Sequence, residues 1–120
     1  MESLTLADQV DSLLSELDAA EPVSFDLGTP ELPELDAVHQ LVAMGTAIVP
    51  HLLECAQGNA PKKRVAYIAM VLNQLGDVRA LAPLLDLRAH HQQREIKDEW
   101  DYAVIGQCDL AIEQLQGKTR

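Results

Sequence analysis

Two stretches, AIVPHLLE at residues 47–54 and GDVRALAPLLDL at residues 76–87, decide how this chain is read. They match at Ala47/Ala80, Pro50/Pro83 and Leu52/Leu85, a spacing of 33. A proline inside a helix removes a backbone donor and crowds the carbonyl four residues back, at a cost of about 3 kcal/mol. Two such prolines in register therefore need a common reason. Each follows an apolar-glycine step, Met44-Gly45 and Leu75-Gly76, and these steps lie 31 apart.

A period of 31–33 with two helices per unit is the signature of a helical solenoid. On that reading the first helix of each unit bends at a fixed point, and a proline near its N-terminal end sets the kink. Ala47, Ala56, Ala66, Ala69, Ala80, Ala82 and Ala103 would let neighbouring helices approach closely.

The other segments fall into place around this repeat. Residues 4–19 carry Leu6, Val10, Leu13, Leu14 and Leu17 on one helical stripe. Thr5 is the expected N-cap, with Asp8 in the place of a capping-box acid. Residues 21–34 hold three prolines and a glycine, too many breakers for a helix, so they form a connector that Phe25 would pin to the core. Helices are expected over 33–44, starting at Pro33, over 47–58, closed by Gly58, and over 61–76, 76–89 and 98–117. Residues 89–98, with His90 and His91, read as a long link. The chain thus divides into an acidic N-terminal helix with its proline-rich connector (1–32), a repeat domain (33–117) and a tail (118–120).

Composition agrees with an all-α fold. Apolar residues make up 48% of the 120 and aromatics only 3%, so the core is aliphatic. No apolar run reaches the roughly 18 residues of a membrane span, and the first residues lack the basic start of a secretory signal. Cys55 and Cys108 are not spaced as a disulfide framework and read as reduced thiols, which places the chain in the cytoplasm. Net charge is −10, and residues 1–61 contain no Lys or Arg. Such a half repels phosphate backbones, which argues against nucleic acid and leaves room for a basic protein partner.

Motifs that carry chemistry are sparse. His51 and Cys55 are four apart and could share a helix face, but two ligands do not make a metal site, so neither metal nor cofactor is expected. The chain has no phosphate loop, no nucleophile elbow and no HExxH, and both cysteines sit among apolar residues, so we expect no enzyme and no catalytic residue. Asp98, Glu99 and Asp101 suit a helix start. The basic run Lys62-Lys63-Arg64 opens a helix, the wrong end for cations. Arg64 is expected to bond to a neighbouring unit, at Asp77 or Glu54. Lys62 and Lys63 would meet the chain's own N-terminal acids or an acidic partner. With Tyr67, Trp100 and Tyr102 they are the candidate partner-binding residues, since aromatic residues favour interface hot spots. Trp100 could instead cap the core. Gly45, Pro50, Arg64, Gly76, Asp77 and Pro83 are the structural set.

The runs LGDVRALAPLLDL and KRVAYIAMVLNQLGD resemble HEAT-like repeats, of the type also found in phycobilisome bilin lyases. The resemblance covers residues 35–88. It places Arg64 at that pattern's second-helix arginine, with Ala66 and Ala69 at its small positions. After residue 88 the pattern weakens, and no arginine stands near Asp101. The resemblance implies a short right-handed α-solenoid of about three helical hairpins. The expected function is a non-enzymatic protein-interaction module that binds a protein or peptide in the groove of its second helices. Two further readings follow from the acidity and the resemblance: an inhibitor or immunity-type protein that neutralises a basic enzyme, and an accessory subunit of a bilin lyase. A homodimer through either terminal helix is also expected, and deletion of residues 1–20 should then leave a folded domain but alter its association state.

Overall fold

The computed structural model describes residues 5–19, 25–26, 29–30, 35–57 and 60–118. The expected roles of the Phe25 side chain, Pro33, Gly58 and the last two residues lie outside what it describes. Six α-helices follow in order: α1 (Leu6–Ala19), α2 (Asp36–Ala43), α3 (Val49–Cys55), α4 (Lys62–Leu75), α5 (Leu81–Gln92) and α6 (Glu99–Lys118). Between α1 and α2 a two-residue antiparallel ladder joins β1 (Phe25–Asp26) to β2 (Thr29–Pro30), in the register Phe25 to Pro30. Among the described residues the regular structure is otherwise all helical.

Local chemistry accounts for the helix starts. The Asp8 amide donates to Thr5 Oγ1 at 3.1 Å and the Thr5 amide donates to Asp8 Oδ2 at 3.3 Å, a reciprocal capping box that starts α1 where the sequence places it. Asp98 and Asp101 do the same for α6: Asp98 Oδ1 accepts from the Asp101 amide and Asp101 Oδ2 accepts from the Asp98 amide, both at 3.0 Å. Gly76 ends α4 in the left-handed region at φ 66°, and Asp77 then accepts the Arg79 amide at 2.9 Å to open the next turn.

The prolines do not kink helix interiors. Each belongs to a first turn entered through a 3-10 turn, Thr46–Ile48 before α3 and Val78–Ala80 before α5. The two turns begin 32 residues apart, as do the two helices, so Pro50 is the second helical residue and Pro83 the third. In a first turn the missing N–H has little to lose. The carbonyl that Pro50 cannot serve, that of Thr46, accepts the Val49 amide and also Arg79 Nη2 at 3.1 Å. An arginine in the second turn thus completes the first.

Helix α4 is the centre of the core. Its residues Val65 to Leu72 are all buried, which suits a stretch with no strongly polar position. It packs along α6 and against α1, α2 and α3, while α5 lies across α6 and α1 against α2. Ala56, Ala66, Ala69, Ala80 and Ala103 are buried at these crossings, whereas Ala47 and Ala82 face solvent. The expected end of the fourth repeat-domain helix at residue 89 moves to Gln92, because nothing in RAHHQ stops a helix and His91 finds a buried partner. His90 and His91 are therefore helical, and the true link is 93–98.

Candidate functional site

A cleft of about 620 Å³ lies between α3, α5 and the start of α4. Its apolar lining comes from Leu53 of α3 and Ala56 just after it, Val65 of α4, and Pro83 and Leu87 of α5. Pro83, at the first turn of α5, presents its ring to this space rather than bending the helix. The polar lining comes from Gln57, Lys62, Asp86, His90, His91 and Arg94. The groove expected along the second helices is not where the cleft lies. Those helices are α2, α4 and α6, and α4 spends its surface on its neighbours, which leaves α3 and α5 to form the walls.

Under the polar end sits Asp101, fully buried. Its Oδ1 accepts from His91 Nδ1 at 2.8 Å and forms an ion pair with Arg94 Nε at 3.2 Å, and its Oδ2 accepts from Lys62 Nζ at 2.9 Å besides its capping amide. A carboxylate only accepts, so His91 must carry its proton on Nδ1. Burial alone would push the Asp101 carboxyl up. The bonds from Lys62 and His91, with the Asp98 amide, outweigh it and hold the carboxyl well below the usual range. Asp101 is thus locked as an anion with its acceptor positions filled. It organises the cleft wall and is not free to exchange protons with a ligand. The cations at the rim are correspondingly spoken for, since Lys62 also binds Asp98 at 3.0 Å. Beside Gln57, Asp86 and His90, what the cleft offers a guest is the apolar surface of Leu53, Ala56, Val65, Pro83 and Leu87.

A second cluster spans α1 and α3. His51 Nε2 lies 2.8 Å from Asp11 Oδ1, Cys55 Sγ lies 3.6 Å from the same ring nitrogen, and Sγ lies 3.7 Å from the Asp11 oxygen. The two α3 residues share a face as their spacing requires. Asp11 comes from 40 residues earlier. Burial, then the Asp11 charge and hydrogen bond, push the Cys55 thiol up, the opposite of what a nucleophile needs.

The basic run at the start of α4 is held inside the chain. Arg64 forms a two-pronged pair with Asp18 of α1, through Nη2 to Oδ2 and through Nε to Oδ1 at 3.3 Å. It reaches neither Asp77 nor Glu54, because α1 packs over this end of α4. Lys63 donates to the Asp18 carbonyl at 3.2 Å and lies 5.9 Å from the Trp100 ring centre. That carbonyl stands near the C-terminal end of α1, where cations are favoured. Asp77 is taken by Arg79 instead.

Among the candidate partner-binding residues, Lys62 lines the cleft, while Lys63 and Trp100 stand together, with Trp100 half-buried against the core. Tyr67 is fully buried and lines no groove, since every side of α4 at that level is covered. Tyr102 is exposed on α6, one turn before Gly106 and two before the exposed Leu110.

No protein family, curated protein or solved structure matches the chain. The HEAT-like resemblance accordingly rests on the residues that carry it. Among the described residues no helix is long and apolar enough to cross a membrane. Sequence reasoning missed Asp11, Asp18 and the hub formed by Asp101 with His91. Only the last had a local signal, the Asp98-x-x-Asp101 spacing of a capping box.

Proposed function

We propose that this chain is a non-enzymatic protein-interaction module, a short right-handed HEAT-like α-solenoid of three hairpins that receives an apolar segment of a protein partner. The packing of α1 on α2 and of α5 on α6 and the recurrence of the proline turn after 32 residues support the architecture. One observation carries the function: a cleft of about 620 Å³ lined in part by Leu53, Ala56, Val65, Pro83 and Leu87, whose rim cations Lys62 and Arg94 are already paired with Asp101. Its volume lies in the ordinary range of ligand clefts, about 300–1,000 Å³. A photo-reactive residue at Gln57, on the cleft, should crosslink a single protein from native lysate. The same probe at Glu113, exposed on α6, should not, and Leu87→Glu should abolish the Gln57 product. Equal capture from both positions would refute a cleft-borne partner.

A second reading, a small acidic inhibitor of a basic enzyme, is favoured by where the positive charge goes. Lys62, Lys63, Arg64, Arg79, Arg88, Arg94 and Lys97 all bond within the chain. Asp8, Glu16, Asp36 and Glu54 face solvent. A partner held by this surface would show a Kd that weakens steeply with salt, and a flat response would exclude it.

A further inference from the structure

From the convergence of Asp11, His51 and Cys55 we infer a binding site for a thiophilic divalent cation, Zn2+ in the first instance, bridging α1 and α3. These three donor atoms all lie within 4.8 Å of one another, one oxygen, one nitrogen and one sulfur. In a tetrahedral zinc site the sulfur-to-nitrogen and sulfur-to-oxygen edges are about 3.5 Å and the nitrogen-to-oxygen edge about 3.3 Å. The cluster shows 3.6, 3.7 and 2.8 Å. Two edges already have the length a bound ion would impose. The third is the hydrogen bond between His51 and Asp11, which must open by roughly half an ångström to admit an ion.

The surroundings suit this use. His51 and Cys55 are held one turn apart on α3, so their spacing is fixed by the helix. Asp11, on α1, is more than half exposed and can adjust. Glu54 lies 3.8 Å from the other ring nitrogen, His51 Nδ1, on the side where metal-bound histidines usually meet an outer carboxylate. Three protein ligands leave a fourth position for water, as in zinc sites that exchange ligands. A mixed sulfur, nitrogen and oxygen set favours Zn2+ over Mg2+ or Ca2+. On binding, the Cys55 S–H proton passes to solvent as the zinc–sulfur bond forms; His51 gives up the Nε2 proton it donates to Asp11 and takes one up from solvent on Nδ1, which faces Glu54, so that the His51–Asp11 hydrogen bond gives way to two bonds to the metal. Neutral His51, the thiolate and the Asp11 carboxylate then balance the ion's charge.

The test uses reduced full-length protein with Co2+ as the spectroscopic probe and Zn2+ as competitor. One Co2+ per chain should bind with a thiolate-to-cobalt charge-transfer band and the visible bands of four-coordinate cobalt, and one equivalent of Zn2+ should abolish them. Cys55→Ser should remove the charge-transfer band. Asp11→Asn and His51→Ala should each weaken Zn2+ binding by about tenfold or more. Cys108→Ser, altering the distant buried thiol, should leave the spectrum unchanged. Zinc should also slow reaction of Cys55 with a thiol reagent and slow amide exchange in α1. Far-ultraviolet circular dichroism of each variant identifies any that fails to fold, in which case Asp11→Asn, altering an exposed side chain, decides. Six-coordinate cobalt without a thiolate band, or a spectrum unchanged by Cys55→Ser, would overturn the site.

Discussion

Lys62 Nζ, at the first residue of α4, bonds at 2.9 Å to Asp101 Oδ2, which is fully buried in the first turn of α6. The bond ties together the starts of two helices that run through the core. It also places a permanent anion beside the cation that α4 carries at its unfavourable end.

Acid should therefore loosen the protein in a defined way. The Asp101 carboxyl is held well below its ordinary value in the folded state, and an unfolded aspartate titrates at about 3.9. A depressed carboxyl contributes stability that is fully present above the unfolded value and is lost as pH falls toward the folded one. Asp101→Asn should cost about 2 kcal/mol near neutral pH, less than the ~3–5 of a fully enclosed pair because Lys62 and Arg94 reach solvent. Urea denaturation at a series of pH values should show the gap between wild type and variant narrowing below about pH 4. A gap that stays constant would mean that Asp101 contributes through packing alone.

Tyr67 should be better as phenylalanine. Its hydroxyl is buried and finds no hydrogen-bond partner among the described residues. Removing a buried unpaired group while keeping the ring should be neutral or stabilising by up to about 1 kcal/mol. Tyr67→Ala, by contrast, should cost about 3–5 kcal/mol through the cavity it leaves. A denaturation midpoint that falls for Tyr67→Phe would reveal a bond to that hydroxyl.

Arg64 should govern the docking of α1. Both members of its pair with Asp18 are largely buried, and the planar guanidinium meets the carboxylate with two prongs. Arg64→Ala should lower stability by about 1 kcal/mol and raise amide exchange in α1 before it does so in α6. Arg64→Lys should restore only part of this, since an ammonium cannot make the paired contact. Uniform exchange across all helices would separate α1 docking from this ion pair.

The two thiols should differ sharply. Cys108 is fully buried, and burial pushes its thiol up to about 12. Cys55 is only half-buried. A disulfide reagent at neutral pH should modify one thiol in the native protein and both in denaturant, with Cys55 identified by peptide mapping. Rapid native modification of Cys108 would indicate that α6 opens readily.

Much of the fold was legible because its signals are local. The Thr5/Asp8 cap, the glycine that ends α4 and the helical stripe of residues 4–19 each need only a few neighbouring residues. The end of α5 was misplaced because its cause is distant: His91 extends the helix toward Asp101, ten positions on. The sequence places the prolines near the starts of their helices, but the expected kink is replaced by first-turn positions, since the 3-10 turns ahead of them carry no residue type of their own. The candidate site was least legible of all. His51 and Cys55 stood out as a pair, yet nothing near them in the chain points to Asp11, and only packing of α1 on α3 brings it there.

The unbroken burial of Val65 to Leu72 sets how the molecule must assemble. A repeat built of separable layers can gain or lose a layer at its end and stay folded. Here the central helix is covered by α1, α2, α3 and α6 together, so its burial is complete only when all four are in place. The chain should melt in one step, and neither residues 1–61 nor residues 62–120 should fold when expressed alone.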